Sequence, residues 1–95
     1  MSWTFIGRDI REIDKRPWRE VFNQILHDTG TQGYLQNMNG ILAAAYGKNK
    51  ALDEAEICGA VIRAFTRYEM FDVVTEHPLF EQFVIKRVRE LKLRG

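Results

Sequence analysis

The chemistry this sequence could do begins with one thiol and two imidazoles: Cys58, His27 and His77. Cys58 falls at helical spacing with Val61 and Phe65, which puts it on a buried face. A thiol there acts as a small hydrophobe with a raised pKa, not as a nucleophile. His27 projects opposite Phe22 and Ile25, toward solvent, and His77 stands at a helix start, so neither activates Cys58. One cysteine closes no internal disulfide. No Cys-x-x-Cys or His-x-x-x-His spacing offers zinc a set of ligands. The sequence therefore predicts no catalytic residues, no metal and no cofactor, and the protein is read as non-enzymatic.

Phosphate recognition is the next chemistry to consider. Gly30-Thr31-Gln32-Gly33 is a G-x-x-G between two helical segments. Over these four residues it resembles the clamp loop of KH domains, which implies contact with a nucleic-acid backbone. The strands of a KH sheet are not evident, and a helix–helix turn uses two permissive glycines without them.

Charge is segregated along the chain. Residues 51–85 carry seven acidic side chains against Arg63 and Arg67 alone, a balance of −5. Residues 86–95 carry Lys86, Arg87, Arg89, Lys92 and Arg94 against Glu90, a balance of +4, although the whole chain is only +1. Helix-dipole compensation accounts for Lys92 and Arg94 at a helix C-terminus. It accounts less well for Arg87, which falls on the apolar face between Phe83 and Leu91. Three roles are open to Arg87: its stem covers the core edge while its head reaches water, it pairs with Glu69 or Asp72, or it meets a partner. Arg63 and Arg67 lie one turn apart on the exposed side of their helix, beside the small Ala60. Like charges at that spacing repel by a few tenths of a kcal/mol; the pair is read as a solvated face with Glu56 softening the repulsion, and the alternative is that it receives an anion or a partner carboxylate.

The elements that position these groups are helical. Trp3 and Phe5 precede any clear helix and form part of an extended arm over residues 1–6. A short helix over about Gly7 to Ile13 follows. The next has Pro17 in its first turn, Asp14 or Arg16 as its cap, and Trp18, Val21, Phe22, Ile25 and Leu26 on one face, ending at Gly30. A third, from about Gln32 to Tyr46, buries Tyr34, Leu35, Met38, Ile41, Leu42, Ala45 and Tyr46 and stops at Gly47. Asp53 and Glu56 form a capping box for a fourth, whose buried face runs from Ile57 through Cys58, Val61, Ile62 and Phe65 to Tyr68. Met70 to Val74 is too apolar for a free loop and must fold back on the core. The last helix starts near Thr75 or His77, holds Pro78 in its first turn and runs to about Leu93, with Phe80, Phe83, Val84, Val88 and Leu91 inward. The expected fold is all-α, a single domain of four main helices plus a short N-terminal one, over residues 1–95.

Ninety-five residues, 45% hydrophobic and 28% charged, suit one globular domain and argue against general disorder. The start lacks a basic-then-apolar leader, and the longest uncharged stretch, Thr29 to Gly47, is rich in amides and glycine, so no membrane partner is expected and a cytoplasmic setting is the default. The function these facts favour is a small protein–protein interaction module: an adaptor, inhibitor or assembly subunit. Its candidate partner-binding residues are Trp3, Phe5, Arg63, Arg67, Lys86, Arg87, Arg89, Lys92 and Arg94. The partner would be another protein, acidic in character, or a second copy in a homodimer built on Trp3 and Phe5. The alternative is a nucleic-acid binder using the basic C-terminal helix, against which the near-neutral charge stands.

Overall fold

The computed structural model describes residues 14–94, so Trp3, Phe5, the expected arm and the helix over 7–13 lie outside the described residues. The described chain is all-α: α1 (Trp18–Thr29), α2 (Leu35–Asn49), α3 (Glu54–Thr66), α4 (Asp72–Thr75) and α5 (Phe80–Arg94). Single 3-10 turns, Gln32–Tyr34 and Glu69–Phe71, lead into α2 and α4. No strand occurs among the described residues, so the loop that resembled a KH clamp has no sheet to serve.

Local chemistry sets the helix ends. Pro17 is the residue flanking α1, and its carbonyl accepts from Glu20 N–H (3.1 Å) and Val21 N–H (3.3 Å). The sequence expectation that Asp14 or Arg16 caps this helix is corrected: neither does, and no side chain caps it. The Asp14 carboxylate is occupied instead by Arg16, through the backbone N–H at 2.9 Å and the guanidinium at 2.8 Å. Gly30 ends α1 in the left-handed region, at φ 68°. A residue bearing a Cβ would be disfavoured there by roughly 1–2 kcal/mol. At α3 the capping box forms: the Asp53 carboxylate accepts Glu56 N–H at 2.9 Å, and Glu56 Oε1 accepts Asp53 N–H at 3.5 Å.

Three boundaries differ from the sequence reading. Helix α2 does not stop at Gly47 but continues to Asn49, whose side-chain amide donates to the Ala45 carbonyl at 2.8 Å. Helix α3 ends two residues before Tyr68, where Thr66 Oγ1 donates back to the Arg63 carbonyl at 2.7 Å. The last helix starts at Phe80, and Pro78 lies in the turn before it. That turn is held by the His77 ring, whose Nδ1 accepts Leu79 N–H at 3.0 Å while Nε2 meets Asp28 Oδ2 at 2.9 Å. With Nδ1 accepting, the ring donates from Nε2, and this bond lowers the Asp28 pKa below its usual value.

The core forms where α1, α3 and α5 meet. Trp18 lies near Phe83, Phe22 stacks on Phe83 at 4.3 Å, and Asp28 reaches His77, so α1 and α5 run antiparallel. Glu54 pairs with Arg89 and Phe65 meets Phe80 edge-on at 5.3 Å, so α3 and α5 are antiparallel as well. The apolar stretch after Tyr68 does fold back: Phe71 and Val74 are buried, and the Phe71 ring lies 6.1 Å from that of Phe65. Tyr34 and Leu35 were expected inward but are exposed, because the 3-10 turn offsets the start of α2 from the phase that buries Met38 and Leu42.

The Asp14–Arg16 pair gives a pH prediction. The Arg16 guanidinium and backbone N–H, both bonded to the carboxylate, hold the Asp14 carboxyl down to about 2, from 3.8. A lowered folded pKa contributes stability above the unfolded value, and that contribution is lost as pH falls through the folded one. A carbon-detected NMR titration should therefore place the Asp14 midpoint near 2, and Arg16→Gln should move it up toward the ordinary value. An Asp14 midpoint near 4 in the wild type would remove the pair from the solution structure.

Candidate interaction groove

The basic C-terminal helix presents little free charge. Lys86 is 7% exposed and its ammonium donates to the Asp14 carbonyl, so the expected surface contact at Lys86 is corrected to a buried anchor that holds the residues before α1. Arg87 spreads over the Trp18 ring at 4.3 Å and pairs with Glu90, not with Glu69 or Asp72. Its Nε is buried with no hydrogen-bond partner, and the ring face below the guanidinium offsets part of that loss. Arg89 pairs with Glu54 at 2.8 Å, Lys92 reaches the Leu52 carbonyl at 3.4 Å, and Arg94 reaches Glu90 at 3.4 Å. The run of cations in the sequence is thus spent largely within the fold.

Arg63 and Arg67 are placed differently. Both are exposed, and neither makes an ion pair among the described residues. They stand on one rim of an open cleft of about 310 Å³ between α2 and α3. Helix α2 contributes Ile41, Ala44, Ala45 and Lys48, and α3 contributes Ala60, Arg63 and Ala64, with Arg67 at its C-cap. On each helix these positions follow the i, i+3, i+4, i+7 spacing that lines up one face. The four alanines keep the floor low, and Lys48 on the opposite rim is a third cation without an ion pair among the described residues.

The cleft continues into a smaller hollow of about 160 Å³, lined by Asn37, Ile41, Tyr68, Met70 and Phe71. Ile41 and Tyr68 belong to both. Tyr68 is not part of the core as expected: it is 46% exposed, because α3 ends before it and the chain turns away. Lys48, Tyr68, Met70 and the alanines were missed as site residues. The repeat of small residues at helical spacing was visible in both segments, but apolar periodicity alone does not separate a core face from a vacant one.

No group of three His, Cys, Asp or Glu side chains stands close enough to hold a metal among the described residues. Cys58 is buried on α3, and burial pushes its thiol up to about 12. It should resist a thiol reagent at neutral pH in the folded protein and react fully once unfolded by denaturant. Rapid labelling of the native state would contradict its burial. No helix among the described residues is long and apolar enough to cross a membrane. Comparison with protein-family models, curated proteins and solved structures finds no match.

Proposed function

We propose that the protein is a small non-enzymatic interaction module that takes an acidic, amphipathic segment of another protein into the α2–α3 groove. The observation that supports this reading is the combination at one place: Lys48, Arg63 and Arg67 without ion pairs among the described residues, around an alanine floor that opens onto a hollow beside Tyr68 and Met70. A floor running from Ile41 to Lys48 is about 10 Å long, two helical turns, and suits a third helix laid along the pair. Carboxylates one turn apart on that helix would meet Arg63 and Arg67 together, and an apolar side chain would fill the hollow. The rim charges would govern encounter rate and salt dependence, and the apolar anchor would govern residence time.

The test is a calorimetric titration with a designed helical peptide of about four turns, bearing Leu on one stripe and Glu pairs at i, i+4 beside it. The acidic peptide should bind and weaken as salt rises, whereas its counterpart with Lys in place of Glu should not bind. Equal binding of both peptides, or of neither, would overturn the reading.

A further inference from the structure

His77 stands between two helix ends of opposite polarity. Its Nε2 meets Asp28 Oδ2 at 2.9 Å in the last turn of α1, and its Nδ1 accepts Leu79 N–H at 3.0 Å where the chain enters α5. The His77 carbonyl accepts the next amide, Phe80 N–H, at 3.0 Å, and Pro78 has no N–H to place. The ring and the carbonyl of one residue thus satisfy the amides that open the last helix, as an N-cap does. The His77 side chain is 11% exposed and Leu79 is partly buried, so water is a poor substitute for the ring.

Only a neutral ring can hold both bonds. Nδ1 accepts through its lone pair, so the proton sits on Nε2. A second proton must go on Nδ1, where it would face the Leu79 N–H. Two donors cannot share that line, so the Leu79 bond is lost. The bond to Asp28 is kept, because Nε2 donates in either state. The helix ends act in the same sense: the positive N-terminal end of α5 repels an imidazolium, and the negative C-terminal end of α1 attracts one. The titratable groups around the ring are Asp28 and His27 on α1, Asp72 and Glu76 on α4 and at its end, and Glu81 in the first turn of α5. Of these, only Asp28 bonds the ring among the described residues. Its side chain is 43% exposed, so it is a screened counter-ion that keeps the ring at α1 without replacing the acceptor that Leu79 loses.

We infer that His77 is a proton-operated latch: protonation of its ring uncaps the entry to α5 while the ring stays docked on Asp28 at the end of α1. The connection from His77 to Leu79 loosens in mild acid. The helix beyond it is held by Phe80, Phe83 and Val84, all buried in the core.

A nitrogen-15 NMR titration of the intact chain between about pH 8 and pH 5 tests this. At the upper end the ring nitrogens of His77 should show the Nε2–H tautomer. As the ring protonates, the Leu79 amide proton should move upfield and its exchange protection should fall by about tenfold, the equivalent of one hydrogen bond, with the same midpoint as the ring. His77→Asn should abolish the transition and keep Leu79 protected throughout, since a carboxamide oxygen accepts the amide two residues on and does not titrate. His27→Gln should leave the transition in place, as His27 is exposed and makes no bond to this turn among the described residues. Circular dichroism confirms that each variant is folded, and the wild-type titration decides the matter alone if the Asn variant is not. A Leu79 amide that keeps its shift and protection while the His77 ring becomes an imidazolium would overturn the proposal. So would a ring that stays neutral to the end of the titration, a transition that survives in His77→Asn, or one that vanishes in His27→Gln.

Discussion

Phe65→Ala should cost the fold about 3–5 kcal/mol. Phe65 is 0% exposed at the last full turn of α3, and its ring meets Phe71 at 6.1 Å and Phe80 at 5.3 Å. Truncation removes a ring that α3, the Glu69–Phe71 turn and α5 share, and leaves a cavity that three separate elements would have to close. A small domain holds about 5–15 kcal/mol in total, so the variant should keep little margin at room temperature. Urea unfolding followed by circular dichroism measures the loss, with Tyr68→Ala as the internal contrast. Tyr68 is only three residues away but 46% exposed, and its truncation should cost far less. A near-neutral Phe65→Ala would mean that α3 presents a different face to the core.

The second large effect concerns recognition. Arg63→Glu with Arg67→Glu should lower affinity for the acidic peptide by about tenfold to a hundredfold, as each reversal turns an attraction into a repulsion at the rim. Stability should stay within about 0.5 kcal/mol of wild type, since both side chains are exposed and neither has an ion pair to lose among the described residues. Lys92→Gln with Arg94→Gln should do the reverse. It should leave peptide affinity unchanged and cost about 0.3–1 kcal/mol of stability per charge, because these cations sit in the last turn of α5. Equal losses of peptide affinity from both pairs would place the binding charge on α5 as well.

Much of the fold was legible in the residues. The capping box at Asp53 and Glu56, the left-handed stop at Gly30 and the inward faces of α1 and α3 follow from local chemistry, and each lies where spacing put it. What local pattern could not supply was competition between neighbouring devices. Gly47 permits a helix end, but nothing there requires one, and the Asn49 side chain sustains the last turn. Pro78 permits a helix start, but the His77 ring takes the Leu79 N–H and holds a turn instead.

The site was legible only in part. Arg63 and Arg67 were identifiable because helical phase alone placed them outward. Lys86 was not, since its buried ammonium answers the Asp14 carbonyl, a group 72 residues away in the chain. Arg87 was assigned to the right edge of the core, but its ion partner is Glu90 on the same helix, and the Trp18 face beneath it comes from α1. The groove itself is a vacancy between two helices, which no run of residues announces.

Where the acidic peptide lands decides between the α2–α3 groove and α5, and alanine-methyl NMR during the titration reads that directly. Ala44, Ala45, Ala60 and Ala64 form the groove floor, while Ala51 and Ala55 do not line it and serve as internal references. The prediction is that the floor methyls shift together and saturate with the calorimetric affinity, while the references stay in place. Unmoved floor methyls at saturation, with perturbations confined to backbone amides of α5, would contradict it.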